Sequence, residues 1–287
     1  MKKLILVLSL LLGACSSGAP TSLPTDQPPA ATEAPSETSS PISNVSPVPV
    51  ESSLLPSGPI TLVALGDSLT QGDGDDSGRG YPGRLLEKLN AVRPGSDLVN
   101  LGQSGWSSDA LINGDQGIES QLERAVVALQ NATAQGRGAV ALVWIGSNDL
   151  WYLYEYGGDV NDDGEAQDIQ RFTANMDKVL SRLRKTGAPV IVALLDDQST
   201  RPVALKGEAF TAITQAELAR MSRQVGLYNA ILSAKAAQYG ALTVDFSSTD
   251  IFTNPATLYD DGNHPNSNGY DLIAQKWWDV LSPLLGG

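Results

Sequence analysis

The chain has 287 residues, 41% of them hydrophobic, with 32 acidic against 19 basic side chains and a formal charge of -13. That length and apolar content suffice for one large domain or two small ones. So acidic a surface repels phosphate backbones and anionic headgroups, which excludes nucleic acid as a partner and membrane contact through protein charge. A single cysteine leaves no internal disulfide to form, and with a single histidine it argues against a zinc site.

Residues 1–15, "MKKLILVLSLLLGAC", join two lysines to an apolar run from Leu4 to Leu12 that is too short to span a bilayer, then small residues. This predicts an export signal. Leu12, Gly13, Ala14 and Cys15 resemble a bacterial lipoprotein cleavage box, which implies that Cys15 is lipidated and becomes the mature N-terminus. A diacylglyceryl group supplies the two chains that stable anchoring requires. The expectation is an extracytoplasmic protein on the cell surface or in the periplasm, touching the membrane through its lipid alone. Ser16 offers no inner-membrane retention signal of the aspartate kind. Loss of residues 1–15 removes two lysines and no acid, leaving 17 basic against 32 acidic residues and a charge of -15.

Residues 16–58 are dense in Pro, Ser, Thr and Ala, with few large apolar side chains to offset the entropy of folding. They read as a disordered tether reaching roughly 35 to 130 Å. The folded domain is expected over 59–287. Its first apolar run, "ITLVALG", is followed by "DLVNLG", "AVALVWIG", "PVIVALL" and "ALTVDF". Hydrophobicity without alternation predicts strands covered on both faces. Between them, Ile118, Leu122, Ala125 and Leu129 step at helical spacing, as do Ile169, Phe172, Met176, Val179 and Leu183. Tyr270, Ile273, Trp277 and Leu281 repeat the pattern after Asn266 or Ser267 as cap. Strands alternating with amphipathic helices predict an α/β fold, a three-layer α/β/α sandwich around a five-stranded parallel sheet.

Ligands in such sheets bind beyond the carboxyl ends of the strands. The first run ends in "GDSLTQG", which places Ser68 at a turn from strand to helix; the second ends in "NLGQSGW", with Asn100, Gly102 and Gly105. The third ends in "GSND", with Asn148. About a dozen residues after the fifth comes "DDGNHPN", where Asp261 and His264 are three apart. That spacing lets a carboxylate accept from one imidazole nitrogen while the other faces a hydroxyl. Gly, Asp, Asn and Ser are also ordinary turn residues, so no single motif decides. Together they bring a hydroxyl, a base, an acid and oxyanion donors to one rim.

With these blocks in view, the chain from Ile60 onward resembles the SGNH hydrolases, the GDSL esterases and lipases. "GDSLT" matches their nucleophile block, "NLGQSG" the glycine block, "GSND" the asparagine block and "DGNHP" the acid and base block. The resemblance implies a flavodoxin-like sandwich and a serine carboxylic ester hydrolase working through an acyl-enzyme. It implies Ser68 as nucleophile, His264 as base and Asp261 as its partner, with the neighbouring Asp260 as the substitute. It implies an oxyanion hole from the backbone of Ser68 and Gly105 and the side chain of Asn148, Gly102 being left to the turn. No cofactor is required for such chemistry. The absence of a G-x-S-x-G elbow argues against the ordinary α/β-hydrolase fold.

One further motif stands apart. Asp159, Asn161 and Asp163, followed by Gly164, open like a calcium loop, but position twelve is Gln170 where a bidentate carboxylate belongs; Asp168 is the nearest replacement. A structural calcium and a solvated acidic turn are both open readings. Trp106 and "LWYLYEY" after Asp149 offer aromatic side chains either to the approach to Ser68 or to the core. No long apolar lid interrupts the motifs, which favours short-chain esters. The alternatives are O-acetyl groups on a polysaccharide, or a non-catalytic lipoprotein that binds glycan or calcium.

Overall fold

The computed structural model describes residues 55–158, 160–207 and 209–286. Five strands, β1 (Ile60–Gly66), β2 (Asp97–Asn100), β3 (Gly138–Trp144), β4 (Val190–Leu194) and β5 (Leu242–Asp245), coincide with the five apolar runs. All pair in parallel in the order β2-β1-β3-β4-β5. The helices in chain order are α1 (Ser68–Gln71), α2 (Gly80–Val92), α3 (Ser108–Asn113), α4 (Gln121–Ala134), α5 (Ser147–Tyr156), α6 (Asp162–Arg184), α7 (Pro202–Lys206), α8 (Gln215–Tyr239) and α9 (Ser267–Leu281). The helix α2 packs on α9 over one face of the sheet, and α4, α6 and α8 cover the other. This is the three-layer sandwich expected from the pattern.

Each layer is cemented by the residues whose spacing marked it. Tyr270, Ile273, Trp277 and Leu281 of α9 are completely buried, and Trp277 stacks on Tyr81 of α2 with centroids 5.1 Å apart. On the opposite face Phe172 of α6 stacks on Tyr228 of α8 at 3.8 Å. Burying one such side chain contributes about 2 kcal/mol or more. Asn266 caps α9, its side chain accepting from the Gly269 N–H.

The structure corrects three details. Only β1 and β3 are buried along their whole length, and β4 up to Leu194; β2 and β5 are edge strands with exposed residues, because no neighbour covers their outer sides. Ile118 is not on α4: it is exposed and bridges Asp115 ahead of the helix, whose cap is Ser120. The folded body also begins earlier than residue 59. Leu55 is buried, and its N–H donates to Leu284 O at 2.8 Å, so 55–58 belong to the domain. The expected signal, Cys15 and residues 16–54 of the tether lie outside the described residues.

The site is placed by strand order. After β1 the chain runs outward to β2 and returns to β3 on the other side of β1, leaving a crevice beyond the β1 and β3 carboxyl ends. The register sets Gly66 opposite Trp144, so the segments carrying Ser68 and Asn148 emerge at one level.

Candidate active site

Ser68 opens α1, capped by Asp67, whose Oδ1 accepts from the Leu69 N–H at 3.0 Å. This cap aims the serine hydroxyl out of the crevice, where it lies 2.9 Å from His264 Nε2. Across the ring, Nδ1 lies 2.6 Å from Asp261 Oδ2. The other oxygen of Asp261 accepts the backbone N–H groups of Asn263 (2.8 Å) and His264 (2.9 Å), which folds the loop back onto its own acid. Partial burial works to raise the Asp261 pKa, but the His264 ring and the two backbone donors outweigh it and hold the carboxyl at about 2. Asp261 is therefore ionised at any working pH. Asp260, the substitute, is exposed, and the imidazole takes Asp261.

The donors are arranged around the same rim. Gly102 packs so tightly on α1 that a Cβ there would lie 2.4 Å from Gln71 N, and its own N–H is spent on Asn100 Oδ1. Gly105 is different. It is exposed with φ at +78°, a left-handed conformation natural to glycine, and neither its N–H nor that of Ser68 has an acceptor among the described residues. Asn148 donates one Nδ2 hydrogen to Trp106 O at 3.0 Å, which leaves the second free. Asp149, the last residue of "GSND", points inward and accepts from Ser108 N (2.8 Å) and Ser108 Oγ (2.5 Å), pinning the start of α3 behind Trp106.

Several residues at the site escaped the motifs. The carboxyl end of β4 contributes Asp196 and Arg201, a buried bidentate pair at 2.8 and 2.7 Å. Arg201 also donates to Asn263 Oδ1 at 2.8 Å, and Val203 N–H donates to Gly262 O at 3.0 Å. Gly262 and Asn263, between Asp261 and His264, are thus held from the segment that follows β4 and from α7. The strand-end rule points to "DDQSTR" as plainly as to the other ends. Asp75 is a second anchor: it takes donors from Ser77, Arg79, Gly80, Arg84 and, across the molecule, the Ser267 hydroxyl at 2.8 Å. Asp67 is fully buried with Oδ2 unpartnered; burial pushes its pKa up to about 7, against the pull of the Leu69 N–H, Arg201 and His264.

A cleft of about 570 Å³ adjoins Gly105, walled by Gln103, Ser104, Trp106, Asn113, Asp115 and Tyr152 among others. Of the aromatic side chains, Trp151 and Tyr154 belong to the core, whereas Tyr152 and Trp106 face this cleft. Asn161, Asp162 and Asp168, around the start of α6, have partners within the protein. Asn161 caps the helix through Gly164 N–H, Asp162 pairs with Arg220, and Asp163 lies in the first helical turn. Asp168 is held by Arg171 and Tyr228. No group of three metal-ligating side chains gathers among the described residues, and Asp159 lies outside them.

No curated protein matches this chain. Among solved structures, it is similar to a variant of Axe2, an acetyl xylan esterase from Geobacillus stearothermophilus, at 21% identity and a TM-score of 0.52 over 81% of this chain and 96% of that one. It is similar also to the psychrotrophic esterase EstA from Pseudoalteromonas sp., at 17% identity and a TM-score of 0.53 over 79% and 99%. LAE5, an alpha/beta hydrolase enzyme from the metagenome of Lake Arreo, Spain, gives 22% identity and a TM-score of 0.51 over 80% and 98%. At such identities these likenesses establish the shared fold. The model of the GDSL-like lipase/acylhydrolase family matches residues 64–272, a span that contains Ser68, Gly105, Asn148, Asp261 and His264. The chain belongs to that family and is a carboxylic ester hydrolase.

Proposed function

We propose that the protein is an extracytoplasmic serine esterase that hydrolyses short-chain esters of hydrophilic alcohols through an acyl-enzyme. The observation that carries the mechanism is the unbroken relay from Ser68 Oγ through His264 to Asp261, at 2.9 and 2.6 Å. Ser68 attacks the acyl carbon as His264 Nε2 takes its proton; Asp261 stabilises the imidazolium. His264 then returns the proton to the departing alkoxide. Water, deprotonated by the same nitrogen, attacks the acyl-enzyme, and His264 returns that proton to Ser68 Oγ as the Oγ–acyl bond breaks and the acid leaves. The negative oxygen formed in each half meets the N–H groups of Ser68 and Gly105 and the free hydrogen of Asn148, each worth about 3 kcal/mol.

The cleft beside Gly105 supports a polar substrate. Its rim carries Gln103, Ser104, Asn113 and Asp115 and, among the described residues, no lysine or arginine. Such a wall offers hydrogen bonds to hydroxyl groups and repels a carboxylate or phosphate. This favours, as a second reading, an O-acetylated carbohydrate, the kind of ester named for Axe2. The N-terminal segment supports export and lipidation at Cys15, with the Pro- and Ser-rich stretch as a spacer. Structural calcium near Asp159 has as its support only the sequence of that loop.

A panel of 4-nitrophenyl esters from acetate to palmitate, run beside acetylated xylan, tests the substrate. The expected result is a steep fall in rate beyond about four acyl carbons, together with acetate release from the glycan; a maximum at palmitate contradicts it. Cell fractionation tests the location. Activity is expected with the membrane and in the soluble fraction for Cys15→Ser; an unlipidated cytoplasmic protein refutes the anchor.

A further inference from the structure

Two side chains of α5, one helical turn apart, reach the glycine turn. Asn148 donates to Trp106 O at 3.0 Å, and the Tyr152 hydroxyl donates to Gly105 O at 2.6 Å. Residues at i and i+4 share a helix face, so one rigid element grips two consecutive carbonyls. Glycine needs such a grip. With no Cβ, an exposed left-handed Gly105 is free to turn its peptide planes unless both neighbours are held.

On the N-terminal side Ser104, whose carbonyl shares a peptide plane with the Gly105 N–H, is held from α1 and the loop after it. Ser104 N–H donates to Gln71 Oε1 at 2.6 Å, and Ser104 Oγ donates to Asp73 Oδ2 at 2.7 Å. On the C-terminal side Trp106 N–H reaches Gln103 O at 3.2 Å. Among the described residues, the Tyr152 hydroxyl is the one donor on Gly105 O. Burial, then Tyr156 and the carboxylates of Asp67, Asp115 and Asp149, raise the Tyr152 pKa, so the hydroxyl remains a donor.

We propose that Tyr152 is a positioning residue for the oxyanion hole: with Asn148 it clamps the Gly105–Trp106 turn to α5 and so keeps the Gly105 N–H aimed at the acyl oxygen. The proposal rests on the serine esterase reading. Both halves of that reaction form an oxyanion, so loosening the donor lowers kcat and leaves ground-state binding alone.

Tyr152→Phe removes one half-buried oxygen and keeps the ring. The expected result with 4-nitrophenyl acetate is about a tenfold loss of kcat, less than outright removal of an oxyanion donor, with KM within about twofold. An alkylboronic acid, which forms a tetrahedral anion on Ser68, should inhibit the variant more weakly by the same factor. Unchanged kcat overturns the clamp, as does a raised KM with kcat intact, which would make Tyr152 a substrate contact. Tyr152→Leu separates hydroxyl from ring. If Tyr152→Phe matches wild type and only Tyr152→Leu falls, ring packing is the cause and the proposal fails. A wild type without esterase activity strikes the underlying reading; an active wild type with an unaffected Tyr152→Phe strikes only the clamp.

Discussion

Asp67, beside Ser68, shows how a residue can serve geometry at an electrostatic cost. Its Oδ1 is needed to cap α1, yet the carboxyl is entirely buried and Oδ2 has no partner. Burial raises its pKa from 3.8 to about 7, opposed by the Leu69 N–H, Arg201 and His264. A raised acid binds its proton more tightly folded than unfolded, so its contribution to stability is present at low pH and fades as pH climbs from about 4 to 7. Asp67→Asn keeps the cap without the charge. The variant should be about as stable as wild type at pH 5 and more stable at pH 8, by up to roughly 4 kcal/mol. Urea unfolding at the two pH values measures this, and a difference independent of pH would show that Asp67 ionises without penalty.

At the scale of elements, the loop that carries Asp261 and His264 is tied down on both sides. From the segment after β4 come Arg201 on Asn263 and Val203 of α7 on Gly262; from the loop ahead of α2 comes Asp75 on Ser267 at the start of α9. Partial burial acts to raise the Asp75 pKa, but Arg84, Ser267 and Ser77 together hold it well below the usual carboxylate range. A depressed acid stabilises the fold above its unfolded pKa and loses that contribution as pH falls. Asp75→Asn leaves the buried Arg84 guanidinium without its main counter-charge, Asp271 alone remaining on Nε. The expected loss is about 3–5 kcal/mol at pH 7, narrowing as pH falls below about 4, where the unfolded wild-type chain takes up a proton that folded Asp75 still refuses. Melting curves across that range decide it; a gap that stays constant contradicts the ion-pair account. Neither tie was visible in the sequence, because Asp75 and Arg201 act on partners up to 192 residues away and belong to no short motif.

For the molecule as a whole, the sheet and its layers were legible because each strand is a run of apolar residues and each helix a stripe of them. Ser68, His264, Asp261 and Asn148 were legible because strand-end placement and local spacing coincide in them. What was hidden is of two kinds. Ile118 continues a helical spacing yet stands outside α4, since the Ser120 cap and the bridge to Asp115 override periodicity. Tyr152 looked like one more aromatic of "LWYLYEY", and only the approach of α5 to Gly105 distinguishes it from buried Trp151. The central claim for the molecule is that its solitary histidine activates Ser68. Fluorophosphonate labelling followed by peptide mass mapping tests it most directly. One adduct on Ser68, absent from Ser68→Ala and slowed at least a hundredfold in His264→Ala, is the predicted outcome. An ester-hydrolysing protein that takes no label at Ser68, or labels as fast without His264, would contradict it.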